Sequence, residues 1–230
     1  IELNKKRHSI INNDNTSFFD VDSFIKGQLR LWPMANENHS YLTNIGSKVY
    51  SINEFNIFVE YNHKRAISTR AKLDKESINK RPCFLCAKNQ PEEQIHYYIK
   101  GNREYNICIN PYPILPGHIT IPAILHFSQS IQEKEYRDMI GLSEIVPEYA
   151  IFYNGPQCGA SAPDHFHFQG AFLKDIPLCV KIEELSRNNE LTRIKSIFRS
   201  EGRDEFASLY LCDTYLTPVF LSVGNSVDIM

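Results

Sequence analysis

Between residues 165 and 169 the chain reads His-Phe-His-Phe-Gln, and no other stretch restricts the possible folds as much. A strand has a side-chain period of two, so His165, His167 and Gln169 share one face and Phe166 and Phe168 the other. Two imidazoles and an amide are costly to bury without partners, whereas the phenyl rings gain from burial. The segment is therefore expected to be one strand of a sheet with a core on one side and polar chemistry on the other. A pair of structural histidines at a sheet rim is the blander alternative. Just upstream runs Asn154-Gly-Pro-Gln-Cys-Gly-Ala-Ser161, where Gly155, Gly159 and Ser161 form a loop whose amides face an anion readily.

The remaining patterning points to α+β architecture with a mainly antiparallel sheet. Residues 1–27 are polar and Asn-rich and read as an arm or short helix, which Gln28 to Trp32 continue until Pro33 stops it. Asn53 to Tyr61 places Phe55, Ile57, Val59 and Tyr61 at period two, the pattern of a half-buried strand. Tyr97–Ile99 and Tyr105–Ile109 flank Gly101-Asn102 as a hairpin. A turn-rich connection from Asn110 leads to a strand at His118–Ile121. Gln132 to Ile145 is the best helix, with Tyr136, Met139, Ile140, Leu142 and Ile145 favouring one face. Strands follow at Ala150–Tyr153 and His165–Phe172. From Pro177 to about Arg199 the chain reads as helical, and the tail as strand-rich.

Composition narrows the function classes. With 25 Lys+Arg against 27 Asp+Glu, the net charge of -2 argues against a general nucleic-acid binder. No apolar run approaches the roughly 18 residues of a membrane span, and no basic-then-apolar leader is present. The expectation is a cytoplasmic protein without membrane or nucleic-acid partners. The first residue is Ile1, so the chain reads as part of a longer or processed frame. Of six cysteines only Cys83 and Cys86 are close, in Arg-Pro-Cys-Phe-Leu-Cys. That pair reads as a metal knuckle or a redox dithiol, and the other four as small buried residues. The basic run from His63 to Lys80 is either a solvated loop or, through Arg65 and Arg70, a phosphate clamp. Trp32 reads as core rather than as a base-stacking surface.

The His-Phe-His-Phe-Gln strand, the Asn154 and Gly159-Ala-Ser161 loop, and Pro116-Gly-His-Ile-Thr-Ile-Pro122 together resemble the transferase branch of the histidine-triad superfamily. In that branch Gln replaces the third His. It includes the galactose-1-phosphate uridylyltransferases, the diadenosine tetraphosphate phosphorylases and the GDP-hexose phosphorylases; the overall pattern is most like an uncharacterised bacterial family related to the last. The resemblance covers about residues 57–175. It implies a HIT-like antiparallel sheet with the long helix packed across it. Residues 51–178 would form the catalytic domain, 1–50 an arm packed on it and 179–230 an extension of the same domain. One departure is that three residues, Ala162-Pro163-Asp164, separate Ser161 from His165 where the relatives have two, which implies a bulged loop.

The resemblance also implies roles. His167 would attack the α-phosphorus of a nucleotide to give a covalent nucleotidyl-histidine, its neutral form favoured by an ordinary pKa of about 6.5. Gln169 would donate to phosphoryl oxygens. Lacking a labile proton, it suits leaving groups that depart already stable, whereas a third His would favour hydrolysis. Asn154, Gly155, Gly159 and Ser161 would contact phosphate. Cys83, Cys86, His126 and His165 would hold a structural zinc, with His118 a competitor for the third position. The implied activity is that of a nucleotidyltransferase or nucleoside-diphosphate-hexose phosphorylase. Its substrates would be a nucleotide sugar or similar nucleoside diphosphate conjugate, with phosphate or sugar phosphate as second substrate. The alternatives are a hydrolase of dinucleoside polyphosphates or nucleotide conjugates, and a non-catalytic, zinc-stabilised nucleotide-binding scaffold. Relatives often dimerise, so a homodimer is the implied assembly.

Overall fold

A computed structural model describes residues 7–10, 19–52, 55–65, 74–188, 190–199, 204–213, 215, 217–226 and 228. In chain order the strands are β1 (Arg7–Ile10), β2 (Ser47–Ile52), β3 (Phe55–Glu60), β4 (His96–Lys100), β5 (Glu104–Ile109), β6 (Ile119–Pro122), β7 (Tyr149–Phe152), β8 (His167–Phe172), β9 (Thr192–Arg199), β10 (Glu205–Cys212) and β11 (Val219–Gly224). The α-helices are α1 (Val21–Leu31), α2 (Pro33–Tyr41), α3 (Lys75–Lys80), α4 (Glu133–Ile145) and α5 (Pro177–Arg187). The described residues group into two units, one within 1–46 and 61–175, the other within 47–60 and 176–230.

The first unit is built on a six-stranded sheet in the order β1-β4-β5-β6-β8-β7. Only the β1–β4 pairing is parallel; the rest are antiparallel. Its register explains the two faces. Cys108 pairs with Thr120 and Thr120 with Gln169, while Pro122 pairs with His167, so these side chains share one face. The intervening residues Ile107, Ile109, Ile119, Ile121 and Phe168 point the other way and are buried in the core, as is Phe166 just before β8. Phe166 stacks on Phe127 with centroids 5.1 Å apart and meets Phe168 edge-on at 4.9 Å. Each such ring contributes about 1.5–3 kcal/mol by leaving water.

Helix α4 starts at a reciprocal capping box in which the Glu135 carboxylate accepts from the Gln132 backbone N–H at 3.0 Å. Its buried Asp138 serves the β4–β5 turn: it accepts from the N–H groups of Asn102 (2.6 Å) and Arg103 (3.0 Å) and from the Tyr105 hydroxyl (2.9 Å). A Cβ at Gly101 would lie 2.5 Å from Asp138 Oδ1, so only glycine fits that approach. Glu135 also pairs with Arg103.

Several elements differ from the reading of the sequence. Pro33 does stop α1, but it opens α2 at once, because the first helical position needs no N–H. Strand β8 begins at His167, two residues later than expected, because His165 turns off the ladder. The helix after Pro177 ends at Arg187, and Thr192 to Arg199 is a strand. There Thr192, Ile194 and Ile197 supply β-branched side chains, and pairing with β10 overrides the local charge pattern. Asn53 and Glu54 of the expected strand lie outside the described residues; β3 supplies Phe55–Glu60, and Tyr61 falls beyond its end.

The second unit contains the β2–β3 hairpin, registered from Ser47 against Glu60 to Ile52 against Phe55, and an antiparallel β11-β10-β9 sheet. Helix α5 buries Leu185. Among the described residues no helix is long and apolar enough to cross a membrane.

Candidate functional site

Just ahead of β8, the His165 ring meets the knuckle between α3 and β4. Its Nδ1 lies 3.2 Å from Cys83 Sγ, 3.5 Å from Cys86 Sγ and 3.2 Å from His126 Nδ1, and His126 Nδ1 is 3.4 Å from Cys86 Sγ. All four ligand atoms lie within 4.8 Å of one another, a group that could hold a metal ion. A tetrahedral ion with bonds of about 2.3 Å to sulfur and about 2.0 Å to nitrogen needs edges of about 3.3 Å between nitrogens and about 3.5 Å between nitrogen and sulfur. The donor set fits those edges. The tautomer fits too: His165 Nε2 is 2.8 Å from the Ala123 carbonyl, which can only accept, so Nε2 carries the proton and the Nδ1 lone pair faces the cluster. Burial, reinforced by neighbouring Cys83, pushes the Cys86 thiol up to about 11, a penalty that a cation would reverse. His118, the competitor for the third position, is not part of this cluster.

Two residues on, His167 is held on three sides. Its Nδ1 lies 2.9 Å from the His165 carbonyl and so carries the proton, leaving the lone pair on Nε2. Its backbone N–H donates to Gln129 Oε1 at 2.7 Å, and its carbonyl accepts from Gln129 Nε2 at 2.9 Å. The same Nε2 reaches the Asn154 carbonyl at 3.0 Å. Gln129 is fully buried and ties the histidine strand to the loop that begins at Asn154. Burial lowers the His167 pKa below its ordinary value, so the imidazole is neutral at pH 7.

Gln169 is oriented by a second chain of hydrogen bonds. The Ile114 N–H donates to His118 Nδ1 at 3.2 Å, which puts the His118 proton on Nε2, 2.9 Å from Gln169 Oε1. The carbonyl end of Gln169 is thereby engaged, and its NH2 group keeps two donors for the face it shares with His167. His118 is almost fully buried, and desolvation pushes its pKa down to about 3.

That face floors a cavity of about 460 Å³. Its wall includes His167, Gln169, Asn154, Gly159, Ser161 and Arg65, residues drawn from segments as far apart as positions 65 and 169. Gly159 has φ +95°, a left-handed conformation that favours glycine. Arg65 donates from Nη1 to the Tyr112 carbonyl at 3.1 Å. Gly155 is not part of the wall; its carbonyl accepts from Cys158 N–H within the loop. Arg70 lies outside the described residues. Trp32 is both core, at 5% exposure, and cavity wall.

Two wall or support residues escape a reading of the sequence. Gln129 sits in a connection where a polar side chain looks solvated. Arg81, beside the knuckle, donates from Nη2 to Asp164 Oδ1 at 2.8 Å and lies over the Phe84 ring with its guanidinium carbon 4.5 Å from the centroid. Its only visible signal was position, next to the cysteine pair.

A family model described as a domain of unknown function, DUF4922, matches residues 24–172. Among solved structures, yeast Ap4A phosphorylase Apa2 is similar at 17% identity over 78% of this chain and 60% of that one, with a TM-score of 0.37. The same enzyme in complex with AMP gives 16%, 78% and 62% with a TM-score of 0.38, and in complex with Ap4A 14%, 79% and 64% with 0.38. The chain thus spans less than two thirds of the length of the phosphorylase. No curated protein matches it.

Proposed function

The chain belongs to the DUF4922 domain family, and we propose that it is a nucleotidyltransferase or nucleoside-diphosphate-hexose phosphorylase of the histidine-triad type, on a HIT-like sheet with α4 packed across it. One observation carries the reading: His167 donates its Nδ1 proton to the His165 carbonyl, which leaves Nε2 as a lone-pair nucleophile on the wall of a cavity shared with Gln169.

In the proposed reaction, His167 Nε2 attacks the α-phosphorus of a nucleoside diphosphate conjugate. An N–P bond forms, and the P–O bond to the leaving group breaks with its electron pair. Sugar phosphate or phosphate leaves as a stable anion, so no acid is needed. The positive charge on the imidazole is shared with the His165 carbonyl through the Nδ1 proton. Gln169 NH2, Ser161, Asn154 and Arg65 offer donors to the phosphoryl oxygens as charge builds there. An oxygen of phosphate or a sugar phosphate then attacks phosphorus, the N–P bond breaks, and neutral His167 returns. Cys83, Cys86, His126 and His165 would hold zinc, which in a closed four-ligand site supplies no catalysis but fixes the start of β8 relative to the knuckle.

The test is to incubate the protein with a panel of nucleotide sugars and look for an acid-labile nucleotidyl adduct on His167 by mass spectrometry, then add inorganic phosphate. The reading expects an adduct that phosphate discharges with release of a nucleoside diphosphate. Turnover independent of phosphate would favour the hydrolase, and absence of any adduct across the panel the non-catalytic scaffold.

A further inference from the structure

We infer that Arg81 is an anion-contact residue of the cavity, taking a phosphoryl group that the transferred phosphorus is bonded to or is about to be bonded to. The inference rests on the proposed reading of the cavity as a phosphoryl-transfer site. Three observations lead to it. First, Arg81 is part of the cavity wall, with Phe84 and Leu85 of the same knuckle. Second, its guanidinium is placed rather than loose: Nη2 is held by Asp164, and the guanidinium carbon lies over the Phe84 ring. Third, its Nε and Nη1 are buried and have no hydrogen-bond partner among the described residues.

The third observation is unusual for this side chain. Guanidinium carries five N–H donors and no acceptor, and a buried donor without a partner costs about 1–3 kcal/mol, more for a charged group. Asp164 satisfies only part of that demand. A cavity whose other donors include Arg65, Gln169, Ser161 and Asn154 is suited to an anion rich in acceptors. A phosphoryl group brings three oxygens and a negative charge, and planar guanidinium matches it better than a lysine ammonium would. Arg81 therefore brings to the cavity wall a positive charge that the protein only partly satisfies, with Asp164 keeping the side chain there.

Two sources supply such a group: the distal phosphoryl of a nucleoside diphosphate conjugate, or free inorganic phosphate. Titration with orthophosphate reads the second source and titration with pyrophosphate the first, both by calorimetry on the intact chain. Wild type should bind at least one of them, and Arg81→Gln should weaken that binding about tenfold or more, with Arg81→Lys intermediate. Asp164→Asn separates contact from support: it removes the carboxylate charge that pairs with Arg81 while keeping an acceptor for Nη2, and should bind the probe at least as well as wild type. Equal binding by wild type and Arg81→Gln, or no binding of either probe by wild type, would overturn the inference. So would an Asp164→Asn protein as weak as Arg81→Gln, since Arg81 would then act only through that ion pair. Should Arg81→Gln fail to fold, Arg81→Lys and Asp164→Asn still decide the matter. Anion binding that depends on Arg81 in a protein that forms no His167 adduct would sink the proposed reaction and leave this contact standing.

Discussion

Replacing Gln129 by Met keeps length and volume but removes both ends of the amide. Three partners lose their hydrogen bonds: the His167 N–H, the His167 carbonyl and the Asn154 carbonyl. The main-chain bonds of residue 129, from its N–H to the Pro163 carbonyl and from the Tyr153 hydroxyl to its carbonyl, survive the substitution. The loss is thus confined to the side chain. Leaving a buried polar group unpaired costs about 1–3 kcal/mol. The two His167 groups sit beside a fully buried side chain and have little access to water, whereas the Asn154 carbonyl is at a loop. Counting only the His167 pair, the expected loss is about 2–6 kcal/mol, or roughly 4 °C or more in Tm for a chain of this size. Urea denaturation and thermal melting followed by circular dichroism measure it. Adduct formation should slow as well, because the same bonds fix the backbone that carries His167, the proposed nucleophile. A Gln129→Met protein melting within a degree of wild type would mean that water or a backbone shift replaces the amide, and the positioning argument would be wrong.

Three further outcomes are expected. Elemental analysis of the native protein should find about one zinc per chain, and Cys83→Ser should lower Tm more than Phe84→Leu; metal-free protein with unchanged melting after loss of both Cys83 and Cys86 would exclude the site. His167→Gly should form no adduct while keeping its fold and metal, and added imidazole should restore part of the turnover; adduct formation equal to wild type would identify the wrong nucleophile. His118 is held neutral by burial, its pKa pushed down to about 3 against about 6.5 when unfolded. The unfolded state therefore binds the proton first, and stability is full above about pH 6.5 and falls as pH drops toward 3, by about 1.4 kcal/mol per pH unit from this group. His118→Asn should flatten the wild-type slope between pH 6.5 and 5 in urea titrations, and an unchanged slope would refute the assignment.

What could be read in advance depended on whether the signal was local. The faces of β8 were legible because polar and apolar residues alternate over five positions, and the sheet honours that period with Phe166 and Phe168 in the core. Cys83 and Cys86 announced themselves by spacing, while His126 came only with the family pattern, since a lone histidine in a loop carries no periodic signal. Gln129 and Arg81 were not legible. Their importance comes from partners 38 and 83 positions away, and an isolated polar residue looks solvated until those partners are known. The strand Thr192–Arg199 reads as helix in the sequence because five of its eight residues, Thr192, Arg193, Lys195, Ser196 and Arg199, are charged or carry a hydroxyl, a content that also suits a helix face. Its pairing with β10 decides between them.

The offset between the two faces of β8 has a consequence for how this stretch tolerates changes in length. One residue added or lost between His165 and Gln169 would exchange the faces, turning a phenyl ring into the cavity and an amide into the core. The same change between Ser161 and His165 falls ahead of the ladder and leaves the two faces of β8 in place. Insertions and deletions among homologous chains should accordingly collect ahead of His165 and be absent from the strand behind it. Asp164 lies in that loop, and its carboxylate is the group that holds Arg81.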